Sequence, residues 1–211
     1  RPARVAEFWV LSDGTEIELT AAAYAYEQSP LMERVTKTVT AAGSGQEQTS
    51  VEETYGEAAA YPYAAGQIKF TRDIAGVETF YDYEAAAEHG AAHKKTAITK
   101  VGGELAAGQS RKTESFLAAN DTVLVEQESV WDGDNWLLLS SGAHEYDEEG
   151  RRTKTIRGNG RVTSTSWMCC GKLSETDEDG ILTSYGYNSA HQLVETIRSE
   201  ISDGDTVVTP E

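Results

Sequence analysis

An internal repeat between residues 146 and 193 constrains this chain more than any other feature. An aromatic recurs at Tyr146, Trp167 and Tyr187, and a turn position recurs at Gly150, Gly171 and His191, so both series advance by 21 and then 20 residues. A second glycine precedes the closing aromatic by seven residues, from Gly160 to Trp167 and again from Gly180 to Tyr187. Upstream, Tyr63, Gly66, Gly76 and Tyr83 keep the same rhythm over 20 residues, with seven from Gly76 to Tyr83. A fixed period of this length marks a chain of like supersecondary units stacked on their neighbours.

The content of a unit says what it is. Val77, Thr79, Tyr81 and Tyr83 fall on one face of a period-two strand, and Ile181, Thr183, Tyr185 and Tyr187 form a nearly identical set. Gly76 and Gly180 supply the backbone freedom of a hairpin loop at one end, and Gly150 and Gly171 at the other. Each unit of about 20 residues is therefore a β-hairpin, and a lone hairpin is barely stable in water, so successive units stack edge to edge. The clearest units span 63–83, 146–167, 167–187 and 187–209.

Tyr146-Asp147-Glu148-Glu149-Gly150-Arg151, followed by a second glycine and a closing aromatic, resembles the YD repeat of the Rhs family. That family includes bacterial polymorphic toxins, insecticidal toxin complexes and teneurins. The match is good over about 146–198 and fair over 63–83. Trp167-Met168 replaces Tyr-Asp, Tyr187-Asn188 loses the acid, and His191 stands at the turn glycine. The resemblance implies an exported or cell-surface protein whose hairpins form a patch of a coiled shell wall.

The 211 residues carry no Pro- or Ser-rich linker and read as one repetitive β domain over 1–211. The net charge of -17 opposes binding to nucleic acid, whose phosphates need clustered Lys and Arg. No apolar run is long enough to span a membrane as a helix, and the opening Arg1-Pro2 suggests a piece of a longer protein.

Along the chain, hairpins are expected at 4–10 with 15–24 around Ser12-Asp13-Gly14, and at 33–40 with 46–55 around Ala42-Gly43-Ser44-Gly45. The apolar residues of the first are Val5, Phe8, Val10, Ile17 and Leu19. Pro62 makes 56–65 a connection or a strand edge, since proline cannot donate to a ladder. Residues 84–92 suit a short helical turn. Strands follow at 93–101 and 110–117, a strong hairpin at 122–131 and 136–146, and a last pair around Ser202-Asp203-Gly204-Asp205. About 14 to 16 strands result. The fold class is all-β: an open, twisted antiparallel meander of repeated hairpins. Strands such as 151–157, RRTKTIR, carry charge on both faces, so the sheet is expected to be thin and its end strands open to self-association.

Candidate chemistry is sparse. His89 and His93 have a helical metal-ligand spacing, but Gly90 stands where the zincin glutamate belongs. Residues 175–180 begin like a calcium loop, yet Gly186 occupies the closing glutamate position, and a hairpin turn explains them. Cys169 and Cys170 sit in a turn as either a vicinal disulfide or two free thiols, and no signature ties them to His144 or His191. No metal, cofactor or catalytic constellation is expected. The aromatics suit cross-strand packing or a carbohydrate platform. The function expected is a non-enzymatic structural segment of a secreted or surface YD-repeat protein, partnered by its other repeats and domains, with a carbohydrate-binding or adhesive module as the alternative.

Overall fold

The computed structural model describes residues 4–10, 16–41, 47–202 and 205–210. The turn residues Ser12-Asp13-Gly14, the loop at 42–45 and the Asp203-Gly204 step lie outside the described residues, as do the side chains of Phe8, Val10, Ile17 and Leu19.

The described residues form sixteen strands: β1 (Arg4–Val10), β2 (Glu16–Gln28), β3 (Met32–Ala41), β4 (Glu47–Tyr55), β5 (Ile68–Arg72), β6 (Val77–Ala85), β7 (His93–Val101) and β8 (Arg111–Leu117) come first. β9 (Val123–Trp131), β10 (Trp136–Tyr146), β11 (Arg152–Arg157), β12 (Val162–Met168), β13 (Gly171–Thr176), β14 (Leu182–Tyr187), β15 (Leu193–Ser202) and β16 (Asp205–Pro210) follow. The sheet order repeats the sequence order, with β1 and β16 as outer strands. This is the open all-β meander that the hairpin rhythm predicts. Two compact units divide the chain: residues 1–86, 93–114 and 128–137 form the first, and residues 87–92, 115–127 and 138–211 the second.

In the first unit the Thr- and Val-rich segments pair in long antiparallel ladders. β2 runs against β3 from Thr20↔Ala41 to Gln28↔Glu33, and β3 against β4 from Met32↔Tyr55 to Thr40↔Glu47. Ser29 and Met32 exchange backbone bonds of 2.8 and 3.3 Å, closing a tight turn at Pro30-Leu31. Arg34 lies directly opposite Glu53, and its Nε and Nη2 donate to Glu53 Oε1 at 2.7 and 2.5 Å. Glu53 is buried, and such a carboxylate needs this two-pronged partner to offset its lost hydration. Residues 56–67 leave the ladder as a connection holding one 3-10 turn, Pro62–Ala64. Tyr63 therefore sits in a turn rather than at a strand end.

In the second unit β10 to β16 continue the meander, each strand pairing antiparallel with the next. The helical turn expected over 84–92 shrinks to one 3-10 turn, Glu88–Gly90, because β6 continues to Ala85 and His89 takes a φ of 57° that no helix accommodates. Phe116 and Leu117 are the buried apolar residues beside this turn, with His89 edge-on to Phe116 at 4.8 Å.

Among the described residues only Ala64, Tyr83, Ala91, Phe116 and Leu117 are buried apolar side chains, while Leu138 and Leu139 are 60% and 52% exposed. Cohesion therefore comes from ladders, cross-strand pairs and side-chain ties more than from a dense core.

Candidate functional site

The repeat resolves into one turn and one tie. In the turn, Asp147 N–H donates to Arg151 O at 3.0 Å, Gly150 N–H donates to Asp147 O at 3.0 Å, and Asp147 Oδ1 accepts Arg151 N–H at 2.8 Å. Asp73 to Val77, Asp177 to Ile181 and Asn188 to Gln192 repeat every one of these bonds at 2.9 to 3.1 Å. The fourth residue of each turn has positive φ: Gly76 at 81°, Gly150 at 78°, Gly180 at 84° and His191 at 59°. An aspartate or asparagine suits the first position because its short side chain reaches the backbone four residues on. Asp147 is thus a cap for its own turn. Burial pushes its carboxyl upward, but the backbone N–H and the guanidinium of Arg151 prevail and hold it below the usual carboxylate range.

The tie is made by the repeated aromatics. Tyr146 donates its hydroxyl to Val123 O at 2.7 Å, Trp167 its Nε1–H to Arg152 O at 2.8 Å, and Tyr187 its hydroxyl to Lys172 O at 2.9 Å. A register shift falls just before each of them, at Glu145/Tyr146, Ser166/Trp167 and Gly186/Tyr187. In each case the extra residue lies on the following strand, at Thr153, Leu173 and Val194, and the aromatic opposite the bulge turns its side chain back over the preceding strand. The same aromatics pair forward through their backbones, Tyr146 with Arg152, Trp167 with Lys172 and Tyr187 with Leu193. Val123, Tyr146, Arg152, Trp167, Lys172, Tyr187 and Leu193 therefore form one relay of alternating side-chain ties and register pairs, binding β9 to β15.

The glycines divide by role. Gly66, Gly76, Gly150, Gly160 and Gly180 have positive φ. Gly171 does not: it opens β13, opposite Met168, and a Cβ there would lie 2.6 Å from the Tyr187 hydroxyl oxygen. The sequence assigns it a loop role by alignment with Gly150, whereas its structural role is to admit the Tyr187 ring. The loop itself is Cys169-Cys170, with the two Sγ atoms 2.7 Å apart as free thiols.

In the first unit Tyr55 holds a comparable strand-end position at the end of β4, but its hydroxyl reaches forward to β6 rather than back to the preceding strand. It follows the register shift at Glu53/Thr54, and its hydroxyl donates to Tyr81 O at 3.0 Å. Its signal in the sequence is its position ending a Thr-rich strand just before Gly56. Tyr63 instead stacks on His93 at 3.7 Å and 8° and meets the edge of Tyr83 at 6.0 Å. Burial, and then Tyr81 and Tyr55, push the Tyr83 hydroxyl up to about 12.

The remaining candidates have structural partners. His93 is a half-buried strand residue whose Nδ1 shares a 2.6 Å hydrogen bond with the Tyr61 hydroxyl. His144 Nδ1 lies 3.1 Å from the Thr155 hydroxyl, and burial, then Arg152, hold its pKa below the ordinary value. Glu175 and Thr176 end β13, and Asp177 Oδ1 accepts from Asp179 N–H and Ile181 N–H, closing the turn that follows. Among the described residues no three His, Cys, Asp or Glu side chains converge as a metal site.

Comparison with known proteins places the architecture. No family model and no curated protein matches the sequence. A crystal structure of TcdB2-TccC3 without its hypervariable C-terminal region superimposes with a TM-score of 0.61 at 16% identity, covering 92% of this chain. The likeness is one of fold. The chain spans 10% of that structure's length. A second crystal structure of TcdB2-TccC3 aligns over 97% of this chain and 17% of its own, at 11% identity and a TM-score of 0.26, and at that score carries no argument.

Proposed function

We infer that this chain is a non-enzymatic scaffold segment, a length of wall in a larger exported or cell-surface protein of the YD-repeat kind. One observation carries the reading: the repeated aromatics spend their polar heads on backbone carbonyls of the preceding strand. A ring whose N–H or O–H closes its own hairpin serves the sheet. Trp167 is also flanked by Arg151 and Lys172, at 5.8 and 6.0 Å from its ring centre, so cations occupy the approach that a stacked sugar would use. The turn aspartates are likewise spent on backbone N–H groups.

The fold likeness to the TcdB2-TccC3 crystal structure and the Tyr-Asp-x-x-Gly resemblance support the same reading. The partners implied are the other repeats and domains of the full-length protein, and the wall does no chemistry of its own. A glycan array tests this against the carbohydrate-binding alternative. Signal at background, with the strand spectrum intact, is the outcome expected of a wall. Saturable glycan binding lost in Trp167→Ala but kept in Trp136→Ala would replace it with the binding module.

A further inference from the structure

The Cys169-Cys170 turn is a chemically reactive feature that the scaffold reading leaves unused. We propose that it is a chelating dithiol site that takes a monosubstituted trivalent arsenical, R–As=O, across both sulfurs.

Adjacent residues in a strand point to opposite faces, so a Cys-Cys pair inside β12 or β13 would hold its thiols apart. Placed as the two residues between paired Met168 and Gly171, they converge instead, with Sγ atoms 2.7 Å apart. Cys169 is exposed and Cys170 half-exposed, so the pair is open to a reagent. The hairpin stem is held without the sulfurs. Arg151 Nη1 donates to Met168 O at 3.1 Å, Trp167 is tied to Arg152 O, and Tyr187 is tied to Lys172 O across Gly171. The two donors are thereby preorganised, and occupying them does not require the stem to move.

The ligand class follows from the donor set. Thiolates select soft centres. A structural zinc site needs four protein ligands, and among the described residues no third His, Cys, Asp or Glu joins these two. A direct S–S bond between neighbours is strained, because their Cα atoms are only about 3.8 Å apart across a trans peptide while disulfides usually span about 4.4 Å or more. A three-coordinate arsenic that already carries one carbon substituent needs only two sulfurs, and by standing between them it removes the requirement that they meet.

The reaction balances without an oxidant. The As=O bond and two S–H bonds break, two As–S bonds form, and both protons leave with the oxygen as one water, arsenic staying trivalent. The hydrogen bond with Cys169, and then burial, hold the Cys170 thiol above its ordinary range.

The test uses the full chain, reduced and then freed of reductant, with phenylarsine oxide as probe and intact-mass spectrometry as readout. One adduct per chain, formed with loss of one water, is expected. It should survive a hundredfold excess of a monothiol and be stripped by ethanedithiol. Cys169→Ser and Cys170→Ser should each lose the monothiol-resistant adduct while keeping the strand spectrum. Prior alkylation of the wild-type chain with N-ethylmaleimide should abolish the adduct without any substitution. A reduced chain that forms no adduct overturns the site. So does a resistant adduct that persists in either serine variant or after alkylation.

Discussion

The Tyr187 ring lies across Gly171 so closely that a methyl group on that glycine would stand 2.6 Å from the phenolic oxygen. The hydroxyl passes over this bare stretch of backbone to donate to Lys172 O at 2.9 Å. The ring in this seat requires a residue without a Cβ at 171.

Gly171→Ala should therefore destabilise the chain by about 1–3 kcal/mol through overpacking, and Tyr187→Phe by about 1 kcal/mol through the lost hydrogen bond. In urea melts, Gly171→Ala in a Tyr187→Leu background should cost much less than in the wild type. Additive costs would separate the two residues.

Gly180 is the opposite case. Its φ is +84° and nothing lies within 4 Å of the space a Cβ would occupy, so the constraint is backbone alone. Gly180→Val should cost more than the ~1 kcal/mol of an ordinary substitution, and Gly180→Asn distinctly less. Hydrogen exchange should quicken first between residues 146 and 201 while the hairpin at 34–55 stays protected. A uniform loss of protection would contradict the stacked-unit account.

His191 occupies the left-handed corner of the Asn188 turn at a φ of 59°, the place held by glycine in three sister turns. His191→Gly should stabilise the chain by about 0.5 kcal/mol, the relief of left-handed strain outweighing the added freedom of the unfolded chain. A fall in the urea midpoint would show that the imidazole contributes something beyond its backbone.

Stability should decline at both pH extremes for identifiable reasons. Tyr83 has its folded pKa raised from the ordinary value of 10.0 to about 12, so its contribution is complete below pH 10 and is lost as pH rises toward 12. The Asp147 carboxyl is depressed in the fold, and so is Asp132, whose largest cause is the backbone N–H of Asn135. Their contribution is present above the ordinary carboxylate range and is lost as pH falls through it. Tyr83→Phe should flatten the alkaline arm of a denaturation–pH curve and leave the acid arm alone.

Alkylation of the native chain without reductant should add two groups, at Cys169 and Cys170, as befits unbridged thiols. Uptake only after reduction would mean that the pair had closed as a vicinal disulfide.

Much of this architecture is written in the spacing of a few residues. Gly76, Gly150, Gly160 and Gly180 mark turns because positive φ excludes nearly every other residue, and the alternation in 77–83 and 181–187 marks strands because their period is two. What spacing does not carry is register. The tie from Trp167 to Arg152, the opposition of Arg34 and Glu53, and the seat of Tyr187 over Gly171 all depend on which residues of neighbouring strands face one another. A bulge shifts that facing by one residue with no compositional mark. Count alone pairs Tyr63 with Tyr83, whereas the excursion at 56–67 sets both Tyr63 and Tyr55 edge-on to the Tyr83 ring at 6.0 Å.

The relay also bears on how such a chain grows. Arg152 is at once the register partner of Tyr146 and the acceptor for Trp167, and Lys172 stands in the same two relations to Trp167 and Tyr187. Donor, acceptor and intervening turn therefore travel within one stretch of about 20 residues. Duplicating or excising such a stretch leaves no orphaned hydroxyl or carbonyl at the joint, so tandem copying can lengthen or shorten the sheet by whole hairpins without redesigning its neighbours.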